Sequence, residues 1–193
     1  MHKDIVLLDN FDSFTYNIVD QLRISGNNVI IYRNKISLNT ILLKLSNFKK
    51  PVLLLSPGPG KPKNAGCMLD LLSHVVGKIP VIGICLGYQA IVEHYGGSVD
   101  YSGEVVHGKS SLIHHDEKEM FLNITNPLLV ARYHSLVCES IPKSLVINSV
   151  MNNMVMSVRN NSDKICGFQF HPESILTTYG TQLLDKTLNW TYS

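Results

Sequence analysis

The chain has 193 residues, of which 45% are hydrophobic and 17% charged. That is enough apolar material for one packed domain over residues 1–193, and too apolar for a disordered chain. A formal net charge of +2 gives no electrostatic ground for nucleic acid or an anionic membrane surface as partner, and no apolar run approaches the ~20 residues of a membrane span.

Met1-His2-Lys3-Asp4 leads straight into a strand-like run, so no secretory leader is expected. The four cysteines, Cys67, Cys85, Cys138 and Cys166, form no C-x-x-C pair and read as reduced thiols of a cytoplasmic protein. Cys67, Cys138 and Cys166 are expected to be small core residues.

Ile5 to Asp9 reads as a first buried parallel strand. Asn10 to Ser13 turns the chain, with Asp12 or Ser13 available to cap a helix whose apolar stripe is Phe14, Ile18 and Leu22 and which Gly26 can end. Val29–Tyr32 is a second strand, Leu38–Leu45 a short helix and Val52–Leu55 a third strand. Strands separated by helix-length segments indicate parallel βαβ units. No repeat, low-complexity tract or linker divides the chain.

Ser56-Pro57-Gly58-Pro59-Gly60-Lys61-Pro62 follows the third strand. It fails the Walker pattern, because Pro62 follows Lys61 and Leu55 precedes the loop. It also fails the dinucleotide fingerprint, because Lys63 stands at the third glycine position. Proline fixes such a loop and glycine lets a ligand approach its backbone, so the loop reads as a rigid presenter of the Gly58 N–H.

A helix over Met68–Val76 leads to Pro80-Val81-Ile82-Gly83-Ile84-Cys85-Leu86-Gly87-Tyr88-Gln89. An apolar strand here turns through Gly-x-Cys-x-Gly into a helix, which is the layout of a nucleophile elbow with cysteine in place of serine. Such a turn lifts Cys85 off the sheet and sets it at a helix N-terminus, where thiolate and oxyanion are both favoured.

Beyond Gly96 short strands are expected at Val99–Tyr101, Glu104–His107 and Ser110–Ile113, with a hairpin of Leu145–Val150 and Met154–Val158 around Asn152-Asn153. Ile165–Phe170 is a further strand with Cys166, Phe168 and Phe170 on one face, and Tyr179–Trp190 is a closing helix. The fold class is therefore α/β, an open, mainly parallel sheet flanked by helices with added antiparallel strands in the C-terminal half.

A cysteine nucleophile needs a base and a group to orient that base. His171 directly follows a strand and precedes Pro172, and Glu173 is close enough to curl back onto its imidazole. His134 is the second choice; it and His107 read as structural or substrate-side residues rather than catalytic ones. His114-His115-Asp116 invites a metal, but no further ligand has suitable spacing, and a polar turn at a strand end is the better reading. His2, His74 and His94 are expected at the surface.

Gly83 to Gln89, Ser56 to Gly60 and Phe168-Gln169-Phe170-His171-Pro172-Glu173-Ser174 together resemble the three signatures of the class I (triad) glutamine amidotransferases. Leu8 to Asn17 and Arg132-Tyr133-His134-Ser135-Leu136 are similar to the amidotransferase subunits of chorismate-using synthases, of the anthranilate or the aminodeoxychorismate type. Tyr32-Arg33-Asn34, Gly66-Cys67-Met68 and Met154 to Arg159 look closer to the enterobacterial anthranilate type.

The resemblance implies that Cys85 forms a γ-glutamyl thioester with glutamine, that His171 and Glu173 complete the triad, and that the N–H groups of Gly58 and Leu86 form the oxyanion hole. It implies that Gln89 and the backbone around Ser135 and Leu136 hold the amino-acid end of glutamine. It further implies a separate synthase subunit that receives the ammonia, bound non-covalently. No cofactor is implied in this chain, and magnesium is expected in the synthase subunit. Glutaminase activity is expected to be weak without that partner. Tyr88 departs from the histidine usual in close relatives and is given no catalytic role. A catalytically silent assembly subunit and a stand-alone cysteine hydrolase are the competing readings. The intact Cys85, His171, Glu173 and Gly58 argue against the first, and Gln89 with Ser135-Leu136 against the second.

Overall fold

The computed structural model describes residues 2–101 and 108–193. In chain order its elements are β1 (Asp4–Asp9), α1 (Thr15–Ile24), β2 (Asn28–Arg33), α2 (Leu38–Ser46), β3 (Pro51–Leu55), α3 (Met68–Val75), β4 (Val81–Ile84) and α4 (Leu86–His94). There follow β5 (Ser98–Tyr101), β6 (Lys109–His115), β7 (Leu128–Arg132), β8 (Leu136–Ser140), β9 (Val146–Met151), β10 (Met154–Asn160), β11 (Ile165–Phe168) and α5 (Gly180–Trp190). The main sheet runs β2-β1-β3-β4-β11-β10-β9-β6-β7, and β5 pairs with β8 in a separate ribbon. The first five strands are parallel; from β11 onward each neighbour is antiparallel.

The parallel half is covered on both faces, which is why its strands read as unbroken apolar runs. Ile5 and Leu7 of β1 pack with Ile18 and Leu22 of α1 and Leu184 and Leu188 of α5. Val6 and Leu8 point the other way, into a cluster with Ile41 of α2, Leu72 of α3 and Ile91 of α4. Alternation along each strand thus fixes the register, since a one-residue slip would exchange the two faces.

Two expectations change in detail. Helix α1 is capped by neither Asp12 nor Ser13: it starts after Phe14 with no side-chain cap. Asp12 Oδ1 instead accepts from the Phe14 N–H at 2.8 Å, while Asp9 Oδ1 accepts from the Phe11 N–H and the Thr15 hydroxyl, so the last residue of β1 organises the turn. The strand expected over 165–170 stops at Phe168, because the chain leaves β4 there and His171 bridges to Ala131 of β7. Strands β7 and β8 are not foreseen by the sequence pattern. The expected strand Glu104–His107, with His107, lies outside the described residues. The β9–β10 hairpin turns on Asn152-Asn153 with Met151 paired to Met154, and Asn152 takes the left-handed φ of 52° that a tight hairpin turn needs.

Candidate active site

Strands β3, β4 and β11 lie side by side, and their carboxyl ends deliver Gly58, Cys85 and His171 to one edge of the sheet, where open α/β sheets build their sites. Cys85 is the single residue between β4 and α4, at φ 52° and ψ −100°, a conformation that L-residues avoid and that surrounding structure must impose. Two hydrogen bonds impose it: the Cys85 N–H donates to the Phe168 carbonyl at 2.7 Å, and the Cys85 carbonyl accepts from the Gln89 N–H at 3.0 Å. The flanking glycines allow the turn to close. A β-carbon on Gly83 would lie 2.5 Å from the Gly87 backbone, and one on Gly87 would overlap the Leu55 carbonyl. Leu86 opens α4, so its N–H has no intrahelical acceptor.

His171 leaves β11 and is clamped from β7. Its N–H donates to the Ala131 carbonyl at 3.0 Å. Its carbonyl accepts from the Thr177 hydroxyl at 2.6 Å, and that hydroxyl accepts from the Ala131 N–H at 2.9 Å. Glu173 curls back as expected: its Oε1 lies 2.6 Å from His171 Nδ1, with the carboxylate fully buried. Gln21 of α1 donates to the Glu173 backbone carbonyl at 3.0 Å. The rings of Phe14 and Tyr133 meet the imidazole edge-on at 5.5 and 5.0 Å. Burial opposes charge on His171 more than any other single influence. The Cys85 thiol and the Glu173 carboxylate together outweigh it and hold the imidazole well above its ordinary value. His171 Nε2 is buried with no other partner among the described residues, which leaves the Cys85 sulfur as the group it acts on. This arrangement can accept a thiol proton, retain it as imidazolium and return it to a leaving group.

A cavity of about 270 Å³ opens onto Cys85 and is lined by Gly58, Gln89, His134, Ser135 and Leu136 among others. Its volume suits a small amino acid rather than a polymer. One wall is organised by the Leu136 carbonyl, which accepts from Gln89 Nε2 at 3.3 Å and from His134 Nδ1 at 2.9 Å. Burial above all pushes His134 down to about 4, with the charges of Arg132 and His171 adding to it, so its ring is neutral at pH 7 and holds its proton on Nδ1. A larger cleft of about 760 Å³ lies between α1 and the loop after Glu173; it reaches Glu173 but not Cys85.

The sequence-level site residues thus assemble as a unit: Cys85, Gly58, Gln89, Ser135 and Leu136 on the cavity, Leu86 at the helix start, and His171 with Glu173 beside them. His134 belongs to the cavity wall. His115 is buried, stacks on Phe121 at 4.6 Å and bonds to the Thr125 carbonyl. His94 is half-buried rather than superficial, and Cys67 is half-buried where a core position was expected. Four contributors escaped the sequence reading: Asn10, which underpins the Gly58 loop, Thr177, Gln169, and Phe14, which is part of the box around His171 rather than only of a helix stripe.

The model of the glutamine amidotransferase class-I family matches residues 6–190, and the chain belongs to that family. An anthranilate synthase component 2 from Buchnera aphidicola subsp. Schizaphis graminum is 63% identical over 187 residues, covering 97% of this chain and 95% of the relative. Its namesake from Vibrio parahaemolyticus is 54% identical over the same shares of both chains. Among solved structures, a glutamine amidotransferase from Thermotoga maritima superposes with a TM-score of 0.75 at 14% identity, covering 100% of both chains; the two share the fold. Among the described residues no helix is long and apolar enough to cross a membrane.

Proposed function

We propose that the chain is the glutamine-hydrolysing subunit of an anthranilate synthase, passing ammonia to a separate subunit that converts chorismate to anthranilate. The carrying observation is Cys85, held at positive φ on the strand-to-helix turn, opening onto a small-molecule cavity and facing a buried His171–Glu173 pair. Whole-length identity of 54–63% to proteins named anthranilate synthase component 2 supports the choice of partner.

In this reading Cys85 Sγ attacks the side-chain carbonyl of glutamine as its proton passes to His171. The N–H groups of Gly58 and Leu86 receive the oxyanion, a role worth about 2.7–4 kcal/mol per donor. Collapse of the tetrahedral adduct breaks the C–N bond, and His171 gives its proton to the departing ammonia. His171 then draws a proton from water, which attacks the thioester and releases glutamate and the thiol. Glu173 keeps the imidazole in the Nδ1–H tautomer throughout and stabilises its charged form. Gln89 and the 134–136 wall hold the amino-acid end of the substrate.

The test is glutamine-dependent product formation on mixing the chain with the synthase partner and chorismate. Fluorescent anthranilate that disappears with Cys85→Ser and returns on adding ammonium supports the proposal. Aminodeoxychorismate from the other candidate partner would move the chain to that synthase with its chemistry unchanged, and no product despite complex formation would overturn the enzymatic reading. Glutaminase activity should rise on adding the partner, since a free-standing glutaminase would waste glutamine; equal rates with and without it would contradict partner activation.

A further inference from the structure

Gln169 is the residue between β11 and the His171 loop, and it is completely buried. Its Nε2 lies 3.7 Å from Cys85 Sγ, within hydrogen-bonding range for sulfur, and its Oε1 accepts from Gln89 Nε2 at 3.1 Å. The two ends of a glutamine amide are chemically opposite, so which end faces the sulfur decides the local chemistry. Here the choice is settled from the far end of a chain of bonds. The Leu136 carbonyl can only accept, so Gln89 must present its NH₂ group to it. The second hydrogen of that NH₂ then requires an acceptor, which is Gln169 Oε1. With its oxygen committed, Gln169 can only offer N–H to Cys85.

We infer that Gln169 is a catalytic donor to the nucleophile: its amide N–H holds the Cys85 sulfur and favours the thiolate, and Gln89, fixed by the Leu136 carbonyl, sets that amide's orientation. A hydrogen bond to a charged acceptor is about twice as strong as one to a neutral acceptor, so the contact strengthens when the thiol loses its proton. Gln89 thereby has two tasks, one on the cavity and one beneath it. Its own Oε1 is buried with no hydrogen-bond partner among the described residues, so nothing there competes for that amide's orientation. The wall that would hold glutamine is also the far anchor of the Cys85 donor, which ties substrate contact to the state of the nucleophile. The titratable groups facing Cys85 are His171 after β11, Cys138 of β8, His134 and Tyr133 of the β7–β8 loop, and Lys61 and Tyr101 across the cavity. Of these, His171 bears on Cys85 through its charge; Gln169 is the neutral amide that donates to the sulfur from the β11 side.

This inference rests on Cys85 being the nucleophile, and its test separates the two claims. The rate of Cys85 alkylation by iodoacetamide is followed against pH by peptide mass, which distinguishes it from the other cysteines. Burial pushes Cys138 up to about 12 and raises Cys166 further, so both react slowly. Gln169→Leu is expected to move the alkylation midpoint upward by about one pH unit, a tenfold loss of thiolate at any pH well below both midpoints. Gln169→Glu, nearly isosteric, is expected to move it further by setting a carboxylate against the sulfur, and it carries the test should the leucine variant not fold. Gln89→Met, which frees Gln169 to flip, is expected to give a smaller upward shift. Profiles for folded Gln169 variants that superimpose on the wild type overturn the inference, and an unshifted Gln89→Met profile overturns the orienting role of Gln89. An unreactive Cys85 in the wild-type protein would instead sink the reading of Cys85 as nucleophile.

Discussion

A β-carbon built on Gly58 would lie 2.5 Å from the β-carbon of Asn10 and 2.7 Å from its carbonyl oxygen. Asn10 immediately follows β1, and its side chain donates to the Ser56 carbonyl at 2.9 Å, while its N–H donates to Ser56 Oγ at 2.8 Å. The first turn of the chain therefore presses the glycine loop into place from behind, against Leu86 on the other side. This explains why an ordinary-looking proline–glycine turn holds one backbone course.

Gly58→Ala tests that pressure. The new methyl group meets backbone as well as side chain, so the loop and not Asn10 must give way. If the Gly58 N–H is an oxyanion donor, glutamine-dependent turnover of the complex should fall about 10²–10³-fold. Product formation from added ammonium, which bypasses this site, should be unchanged. Loss of both activities together would mean that the substitution acts on assembly rather than on the oxyanion.

Glu173→Gln preserves shape but replaces the carboxylate that bonds His171 Nδ1 with a neutral amide. The imidazolium loses its counter-charge, and the amide can present N–H toward Nδ1 and favour the wrong tautomer. Turnover with glutamine should drop by about 10²–10⁴-fold, and Cys85 alkylation should slow because the imidazolium no longer supports the thiolate. Steady-state kinetics with the partner present, together with the alkylation profile, check both effects.

His134 sets a pH trend in stability. Its folded value, lowered to about 4, lies below its unfolded value near 6.5, so the unfolded chain binds the proton first as the pH falls. Its contribution is present above pH 6.5 and is lost on descent to about pH 4, a total of about 3 kcal/mol. His171 has the opposite sign: its raised value contributes stability that is full below about pH 6.5 and fades as the pH rises through the folded value. Urea unfolding of wild type and His134→Gln at pH 7 and pH 4.5 should show a shallower acid loss in the variant. Parallel losses would contradict the assignment.

The parts of this fold that were legible in the sequence are those decided within a few residues. β1 and β3 are apolar on both faces, and the elbow at Cys85 declares itself because a one-residue strand-to-helix turn needs glycine on each side. The hairpin at Asn152-Asn153 is equally local. What was missed depends on contacts between distant segments. Gln169 matters only because β11 pairs with β4 in a register that sets Phe168 opposite Ile84. Thr177 matters only because Ala131 lies 40 residues before His171 in the chain and beside it in space. β7 is short and ends in Arg132, and the polar end of β8 sits in a separate ribbon, so neither carries a period strong enough to read.

Tyr88, expected to depart from the family resemblance, has a simple place in the fold. It sits in the first turn of α4, three residues beyond the nucleophile, yet it points away from the cavity. Its ring is fully buried in a cluster with Val92, Cys138, Leu145 and Val158, and its hydroxyl donates to the Val155 carbonyl at 3.2 Å. Burial first, and then the neighbouring Cys138, raise that hydroxyl well above its usual range, so it stays a neutral donor at any working pH. The residue joins α4 to β8 and β10, away from the cavity that opens onto Cys85. Tyr88→Phe should cost about 1 kcal/mol for the lost hydrogen bond and the carbonyl left behind. Tyr88→Ala should cost about 3–5 kcal/mol as a large-to-small core change. In both variants the folded fraction should keep its turnover with glutamine, because the positions of Cys85, Gln89 and His171 are set by β4, the Leu136 wall and β7. Denaturant titration beside kinetics normalised to active sites by Cys85 alkylation separates the two quantities. A fall in turnover per active site with Tyr88→Phe would show that the tyrosine reaches the nucleophile through α4 after all.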